Sequence, residues 1–152
     1  MKTIFASAFI FLSVCVAAQT KTTKHKKASS FTITIQTTSC YGKCPVYTLT
    51  IYCKGKMTLK GDKNLDKIGS YERSITKTEL SALKKEFADI KFFELNDKYD
   101  SKATDLPTTY IKYELNGKVK TIQDYDGAPA SLKKLEQKIE EYVKATDWKK
   151  VN

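Results

Sequence analysis

Apolar and polar residues trade places with two distinct periods along this chain, and the periods predict its elements. Phe31, Ile33 and Ile35 alternate with Thr32, Thr34 and Gln36, the pattern of a strand with one buried face. Tyr47, Leu49, Ile51 and Cys53 repeat it, which puts Cys53 on the inward face as a small buried hydrophobe. Lys54-Gly55 predicts a tight turn with positive φ at the glycine. Met57 and Leu59 carry a third strand, and residues 68–74 a fourth, after a polar loop at Gly61 to Lys67. The period then lengthens. Thr76 and Glu79 have the spacing of a capping box, and Leu80, Leu83, Phe87 and Ile90 follow at helical spacing. Phe92, Phe93 and Leu95 read as core filler, with an aromatic ligand box as the alternative. Beyond the polar loop Asn96 to Pro107, two alternating runs, Thr108 to Leu115 and Lys118 to Gln123, flank Asn116-Gly117, a strong hairpin signal. Of their faces, the one with Ile111, Tyr113 and Leu115 is expected inward. A second helix starts near Pro129, a favoured first-turn residue, with Leu132, Leu135, Ile139 and Tyr142 or Val143 as its stripe.

The predicted order is β-β-β-β-α-β-β-α. Hairpins imply antiparallel pairing, and amphipathic helices need a sheet face to cover. The expectation is an α+β fold, a single antiparallel sheet with two helices packed on one face. The domain is placed at residues 31–146, with 147–152 as a C-terminal tail. At 152 residues the chain has room for one ordinary domain.

What precedes residue 31 differs in kind. Lys2 leads an apolar run from Ile4 to Val16 that makes roughly 20 Å of helix, short of the roughly 30 Å hydrocarbon core. With Val16-Ala17-Ala18 at its exit, it predicts a secretory signal peptide, residues 1–18, cut before Gln19. An uncleaved anchor is one alternative. Lipidation at Cys15 is the other, against which stands the bulky Val14 where a small residue is wanted. Residues 19–30 hold four lysines, no acid, and Ala28 as the only apolar residue, so a flexible basic tether is expected there. His25, the one histidine, falls inside it. The expected location is therefore periplasmic or extracellular, with a lipid-anchored form as the alternative and no transmembrane span in the mature protein.

This division changes the meaning of the charge. The formal net charge is +10, yet five of the 27 basic residues precede position 31. The remainder carries 22 against 17 acidic residues, a net of +5. Arg73 is the only arginine, whereas phosphate forks and base contacts favour the planar guanidinium. Nucleic acid is not the expected partner. A single histidine also removes a Ser-His-Asp triad and a His-rich metal site, and no phosphate-cradling glycine loop occurs.

Candidate chemistry rests on cysteines and aspartates. Cys40 and Cys44 flank Tyr41-Gly42-Lys43, a spacing that brings two Cα atoms within bridging range, and an exported setting lets a disulfide persist. A structural clasp is the leading reading. Thiol-disulfide exchange is the alternative, although such centres place Cys-x-x-Cys at a helix start, whereas here the spacing is three and Pro45 leads into a strand. Zinc would lack a fourth ligand. Asp97, Asp100 and Asp105 share one loop, and Asp124 and Asp126 another. They lack the spacing of a calcium loop, and nothing fixes the separation that a glycosidase carboxylate pair would need. No cofactor is implied.

Three motifs in order, Thr38-Ser39-Cys40-Tyr41-Gly42-Lys43-Cys44-Pro45 before a Tyr-x-Leu-x-Ile strand, Thr104-Asp105-Leu106-Pro107-Thr108, and Asn116-Gly117 with Asp124-Tyr125-Asp126-Gly127-Ala128-Pro129, resemble the bacterial domain-of-unknown-function family numbered 6438. The likeness runs from about Phe31 to Lys144. It implies an exported bacterial envelope protein with a signal or lipoprotein leader, and no activity. Cys53 departs from the polar residue expected at that strand end. The expected function is a non-enzymatic interaction module for an unknown protein or envelope ligand. The alternatives are a thiol-disulfide exchange enzyme and a small inhibitor of an extracellular enzyme. Hairpin topology places the loops before and after the second hairpin at one end of the sheet; the hypothesis is that the cysteine loop joins them there, with Tyr41, Lys43, Asp105, Asp124 and Asp126 as candidate binding residues, and the alternative is that these residues only make turns and caps.

Overall fold

A computed structural model describes residues 30–151; the expected signal peptide, the lipidation candidate Cys15 and all of the expected tether but Ser30, His25 included, lie outside the described residues. The strands are β1 (Phe31–Thr37), β2 (Val46–Tyr52), β3 (Lys56–Lys63), β4 (Gly69–Ser74), β5 (Lys98–Tyr99), β6 (Thr109–Leu115), β7 (Lys118–Asp124) and β8 (Lys149–Val151). Helix α1 (Lys77–Asp89) follows β4, a 3-10 turn spans Phe92–Glu94, and α2 (Ala130–Lys144) follows β7. The eight strands form one sheet in the order β5-β7-β6-β1-β2-β3-β4-β8.

The α+β class and the two helices agree with the sequence pattern. The all-antiparallel sheet and the element order need correction. β5 lies parallel to β7, pairing Lys98 with Gln123 and Tyr99 with Asp124, so the sheet is mixed. Two residues are too few to show alternation, and β5 falls in what reads as a polar loop. Residues 147–152, set apart as a tail, include β8, which pairs antiparallel with β4. They also supply Trp148, which is buried and donates its indole N–H to the Tyr142 carbonyl at 2.9 Å.

Strand alternation builds the core. Phe31, Ile33 and Ile35 of β1, Leu49 and Ile51 of β2, Met57 and Leu59 of β3, Ile111 and Tyr113 of β6 and Ile122 of β7 are all buried. They join Leu80, Leu83 and Phe87 of α1 and Leu132, Leu135, Ile139, Tyr142 and Val143 of α2 in one cluster. The intervening residues, Thr32, Thr34, Thr48, Thr50 and Thr58 among them, stay in partial contact with water. Thr76 caps α1 with both halves of the capping box: its hydroxyl accepts from the Glu79 N–H at 3.2 Å, and the Glu79 carboxylate accepts from the Thr76 N–H at 2.7 Å.

The turns set the geometry of the two ends. Gly55 has φ +87° and packs so close to the Ile75 carbonyl that a Cβ would sit 2.6 Å from its oxygen. Asn116 and Gly117 both have positive φ, as a two-residue hairpin requires. These two turns mark one end of the sheet. Cys53 lies there too and is exposed, not buried as the alternation implies. β2 stops at Tyr52, and the turn from Cys53 onward carries the side chain out of the pleat before parity can act on it.

Candidate functional site

The opposite end of the sheet gathers the three sequence motifs. The Thr38 N–H donates to the Thr108 carbonyl at 3.0 Å, and the Thr108 N–H donates back to the Thr38 hydroxyl at 2.9 Å. Farther out, the Tyr41 N–H reaches the Asp105 carbonyl at 3.3 Å. The Tyr125 hydroxyl accepts from the Leu106 N–H at 3.3 Å and ties the third loop to the second. The loop around Cys40, the loop before β6 and the loop after β7 are thus joined by direct hydrogen bonds.

The cysteine loop is held from both sides. Cys40 and Cys44 are at disulfide distance, with Cα atoms 5.7 Å apart. Asn64 donates to the Cys44 carbonyl at 3.0 Å. The Thr37 hydroxyl donates to the Pro45 carbonyl at 2.8 Å and accepts from the Tyr47 N–H at 3.2 Å. The clasp shapes the loop entrance while strand neighbours fix its exit, so the peptide between is presented to solvent: Tyr41 is 92% exposed, and Lys43 is also exposed.

The candidate residues separate into two groups. Tyr41, Lys43 and Asp105 lie on the exposed loops, and Asp126 is half-buried. Asp124 belongs elsewhere. It is the last residue of β7, not part of a loop, and is the one buried charged residue among the described residues, 1% exposed. It continues the inward parity of Ile122 and lies under the first turns of α2. There the Lys133 ammonium approaches its Oδ2 at 2.5 Å and the Glu136 carboxylate at 3.4 Å. The contact with Asp124 is an ion pair more than a directed hydrogen bond, and Oδ1 of Asp124 and Oε1 of Glu136 are buried with no hydrogen-bond partner among the described residues.

Charge counting explains how Glu136 and Lys133 are displaced. Two largely buried carboxyl groups face one ammonium whose side chain is partly exposed. Burial pushes the Glu136 carboxyl up to about 8, and the neighbouring charge of Asp124 adds to the shift against the opposing pull of Lys133. Burial pulls the Lys133 ammonium down, but its close contact with Asp124 and the charges of Glu136 and Asp124 outweigh that, and its net displacement is upward. The Tyr47 phenol is raised by burial and by Glu140 and Glu136 beside it. The Glu136 carboxyl is thereby displaced toward its protonated form at neutral pH.

Lys133 and Glu136 line a cavity of about 300 Å³, whose apolar walls include Ile35, Pro45, Tyr47 and Pro107 and whose rim includes Glu140 and Cys44. Sequence patterning missed Lys133, Glu136 and Tyr47 as site residues. Tyr47 reads as core filler, and the helical pair flanks the apolar stripe without interrupting it. The available signal was the i,i+3 spacing of a lysine and a glutamate in the first two turns of a helix that follows directly on an inward-parity aspartate.

The other aspartates have local partners. Lys120 pairs with Asp97 at 2.6 Å and Lys98 with Asp100 at 2.7 Å. Phe92 and Phe93 pack on Phe87 and Tyr113 with ring centroids 4.4 to 6.2 Å apart, an aromatic cluster that serves the core. Among the described residues, no group of three or more His, Cys, Asp or Glu side chains is placed to hold a metal ion, and no helix is long and apolar enough to cross a membrane.

No match to the chain was found among curated proteins. Residues 31–143, from the first residue of β1 to the last turn of α2, match the family described as Domain of unknown function (DUF6438). The matched span contains the disulfide clasp, both partner loops and the whole Asp124–Lys133–Glu136 trio, and on that match the chain belongs to the DUF6438 family.

Proposed function

We propose that this protein is an exported, non-enzymatic binding module whose ligand enters the cavity beneath the cysteine clasp. The observation that carries the reading is a cavity lined by two of the three bonded motif loops, through Cys44 and Pro45 and through Pro107, against Lys133 and Glu136 of α2. Such a combination of apolar lining and a few oriented polar groups is typical of small-ligand sites. The exposed Tyr41 and Lys43, on the loop that ends in the lining residue Cys44, would contact whatever part of a ligand stays outside. Export follows from the apolar run at residues 4–16 and from Val16-Ala17-Ala18; the mature chain should begin at Gln19, which N-terminal mass analysis of the exported protein reads directly.

Thiol-disulfide exchange has less support. Cys40 and Cys44 lie between two strands, not at a helix start, so no helix dipole favours a thiolate. The deciding experiment is a ligand-observed screen of envelope metabolites and peptides, followed by amide-shift mapping on the oxidised protein. Shifts confined to Thr37–Tyr47, Pro107–Thr109 and the first half of α2 support the module. Insulin reduction by the wild type, lost in Cys40→Ser, would overturn it in favour of the enzyme.

A further inference from the structure

Lys133 and Glu136 on the cavity wall, with the buried Asp124 against Lys133, are together one positive charge short. Asp124 and Glu136 together need two units of positive charge when ionised, and Lys133 supplies one. Glu140, on the rim, has its own partner in Lys144 at 2.9 Å. The deficit shows in the hydrogen-bond inventory as well: Oδ1 of Asp124 and Oε1 of Glu136 are buried acceptors without a donor. Two carboxylate oxygens cannot satisfy each other unless a proton lies between them, so in the empty cavity a proton makes up the missing charge.

We propose that the cavity binds a primary alkylammonium group, whose –NH3+ replaces the proton held by Glu136 and whose alkyl stem lies against Pro45, Tyr47 and Pro107. This rests on the binding-module reading above and names the chemistry of its ligand. An ammonium brings three donors, enough for the orphan oxygen of Glu136 and others at the cavity mouth. Its methylene stem removes apolar wall from water, as long cationic side chains do on protein surfaces. An inorganic divalent cation fits less well. It needs six or more oxygens and would have to share the two carboxyl groups with Lys133, which is already 2.5 Å from one and 3.4 Å from the other. The ammonium can belong to a free amine or to a lysine side chain of a protein partner.

Binding is then an exchange of cations. The ammonium enters charged, the Glu136 carboxyl leaves its proton to solvent, and no other bond changes. The groups facing Glu136 are Asp124 from β7, Tyr47 from β2, and Lys133 and Glu140 from its own helix. β1 and β6 contribute Ile35, Thr37 and Thr109, none of which titrates, and Cys44 is held in the clasp. With the Glu136 carboxyl up to about 8, its ionised fraction rises about 50-fold between pH 6 and pH 8, while an alkylammonium stays charged throughout.

The test is a titration of the oxidised mature protein with n-pentylammonium chloride at pH 6, 7 and 8, followed by amide shifts, with 1-pentanol as the uncharged control. The expected result is an affinity that rises by tens of fold from pH 6 to pH 8, shifts at Thr37, Tyr47, Thr109 and residues 133–137, and markedly weaker binding of pentanol at pH 8. Glu136→Gln should flatten the pH dependence; the wild-type series stands as a test whatever the stability of that variant. A second arm uses Nα-acetyl-lysine-N-methylamide. Binding at least as tight as that of pentylammonium assigns the site to a lysine side chain, and weaker binding assigns it to a free amine. Affinity independent of pH, equal binding of pentanol, or shifts away from the cavity would overturn the proposal. If a different ligand class maps to the cavity while pentylammonium does not, the binding module stands and the ammonium assignment falls.

Discussion

The two ends of the sheet are built from the same strands and finished in opposite ways. At the Gly55 and Asn116-Gly117 end, tight turns close the strands. α1 and the 3-10 turn fill the space above them with Phe87, Phe92, Phe93 and Tyr113, and Lys84 lies over the Phe31 ring at 5.0 Å. At the other end, longer loops replace turns, a disulfide replaces aromatic packing, and a cavity remains between α2 and the sheet. The polar groups follow the same division: the one buried charged residue among the described residues, Asp124, lies at the cavity end. Apolar packing stabilises without direction, whereas a buried ion trio is costly to dehydrate and holds its members in one geometry. On the proposed reading, the end packed by Phe87, Phe92 and Phe93 holds the fold and the end beside Asp124 is the part offered to a ligand.

The sharpest way to break that contrast is to empty the filled end. Phe87 is 1% exposed and touches Phe92 and Tyr113 with ring centroids at 5.0 and 4.4 Å. Phe87→Ala should lower the unfolding free energy by about 3–5 kcal/mol, measured by urea denaturation. Amide shifts at Thr37, Tyr47 and Lys133 should hardly move. A change spread equally over both ends would mean that they form one cooperative packing unit, and the contrast drawn above would fail.

At the cavity end the largest effect should come from Lys133→Met, which keeps the stem and removes the charge. Asp124 would be left buried without its cationic partner, a loss of about 3 kcal/mol. The double variant Lys133→Met with Asp124→Asn should recover much of that loss, which isolates the charge from the packing. The same trio fixes the sign of a pH dependence. Glu136 holds its proton in the folded chain up to about 8, above its unfolded value, so the folded state binds the extra proton. Its contribution is fully present below the unfolded carboxyl pKa and is lost as pH rises toward 8. Wild type should lose stability over that window relative to Glu136→Gln; a flat difference between the two proteins would remove the raised carboxyl from the account.

These two regions were not equally legible in the sequence. The filled end was readable because its information is local: Thr76 and Glu79 are three residues apart, Asn116 and Gly117 are adjacent, and the alternation in β1 and the stripe in α1 each lie within one element. The Cys40–Cys44 clasp was readable for the same reason. The trio was not. Asp124 reads as a turn-forming acid at the start of Asp124-Tyr125-Asp126-Gly127, and only the pairing of β7 with β6, Asp124 opposite Thr109, shows that its side chain continues the inward set. Lys133 and Glu136 look like surface charges until α2 is laid over that position. β5 and β8, of two and three residues, are defined by their neighbours and have no period of their own. Cys53 misled because parity was carried one residue past the end of β2.

The clasp gives a smaller effect than either packing or charge. A disulfide closing so short a loop constrains the unfolded chain by about 2 kcal/mol before strain, and the loop is also anchored through Thr37, Asn64 and Asp105. Replacing both Cys40 and Cys44 with serine should therefore cost no more than about 2 kcal/mol in urea denaturation and leave the amide spectrum of α1 intact. Ligand affinity is the finer reading. If the clasp presents Tyr41 and Lys43, the double serine variant should bind more weakly than its stability loss alone explains. Unchanged affinity would reduce the clasp to a stabilising loop closure.

Cys53 offers the smallest effect and the cleanest check on the end to which it belongs. It follows the last residue of β2, and the Gly55 N–H donates to the Tyr52 carbonyl at 2.9 Å to close the turn around it. The turn is made by backbone atoms and by the positive φ of Gly55, so the thiol itself contributes little to folding. Cys53→Ser should change stability by less than about 0.5 kcal/mol, as is usual for exposed positions. The exposed thiol should react with a maleimide reagent in the native protein as fast as it does in urea, and one label should be taken up per oxidised chain. Bound ligand should leave that rate unchanged, because the seven residues of β2 separate Cys53 from the clasp by roughly 20 Å at strand rise. Protection of Cys53 by a ligand that also shifts Tyr47 would show that the two ends communicate through the sheet, and the division between a holding end and a binding end would have to be given up.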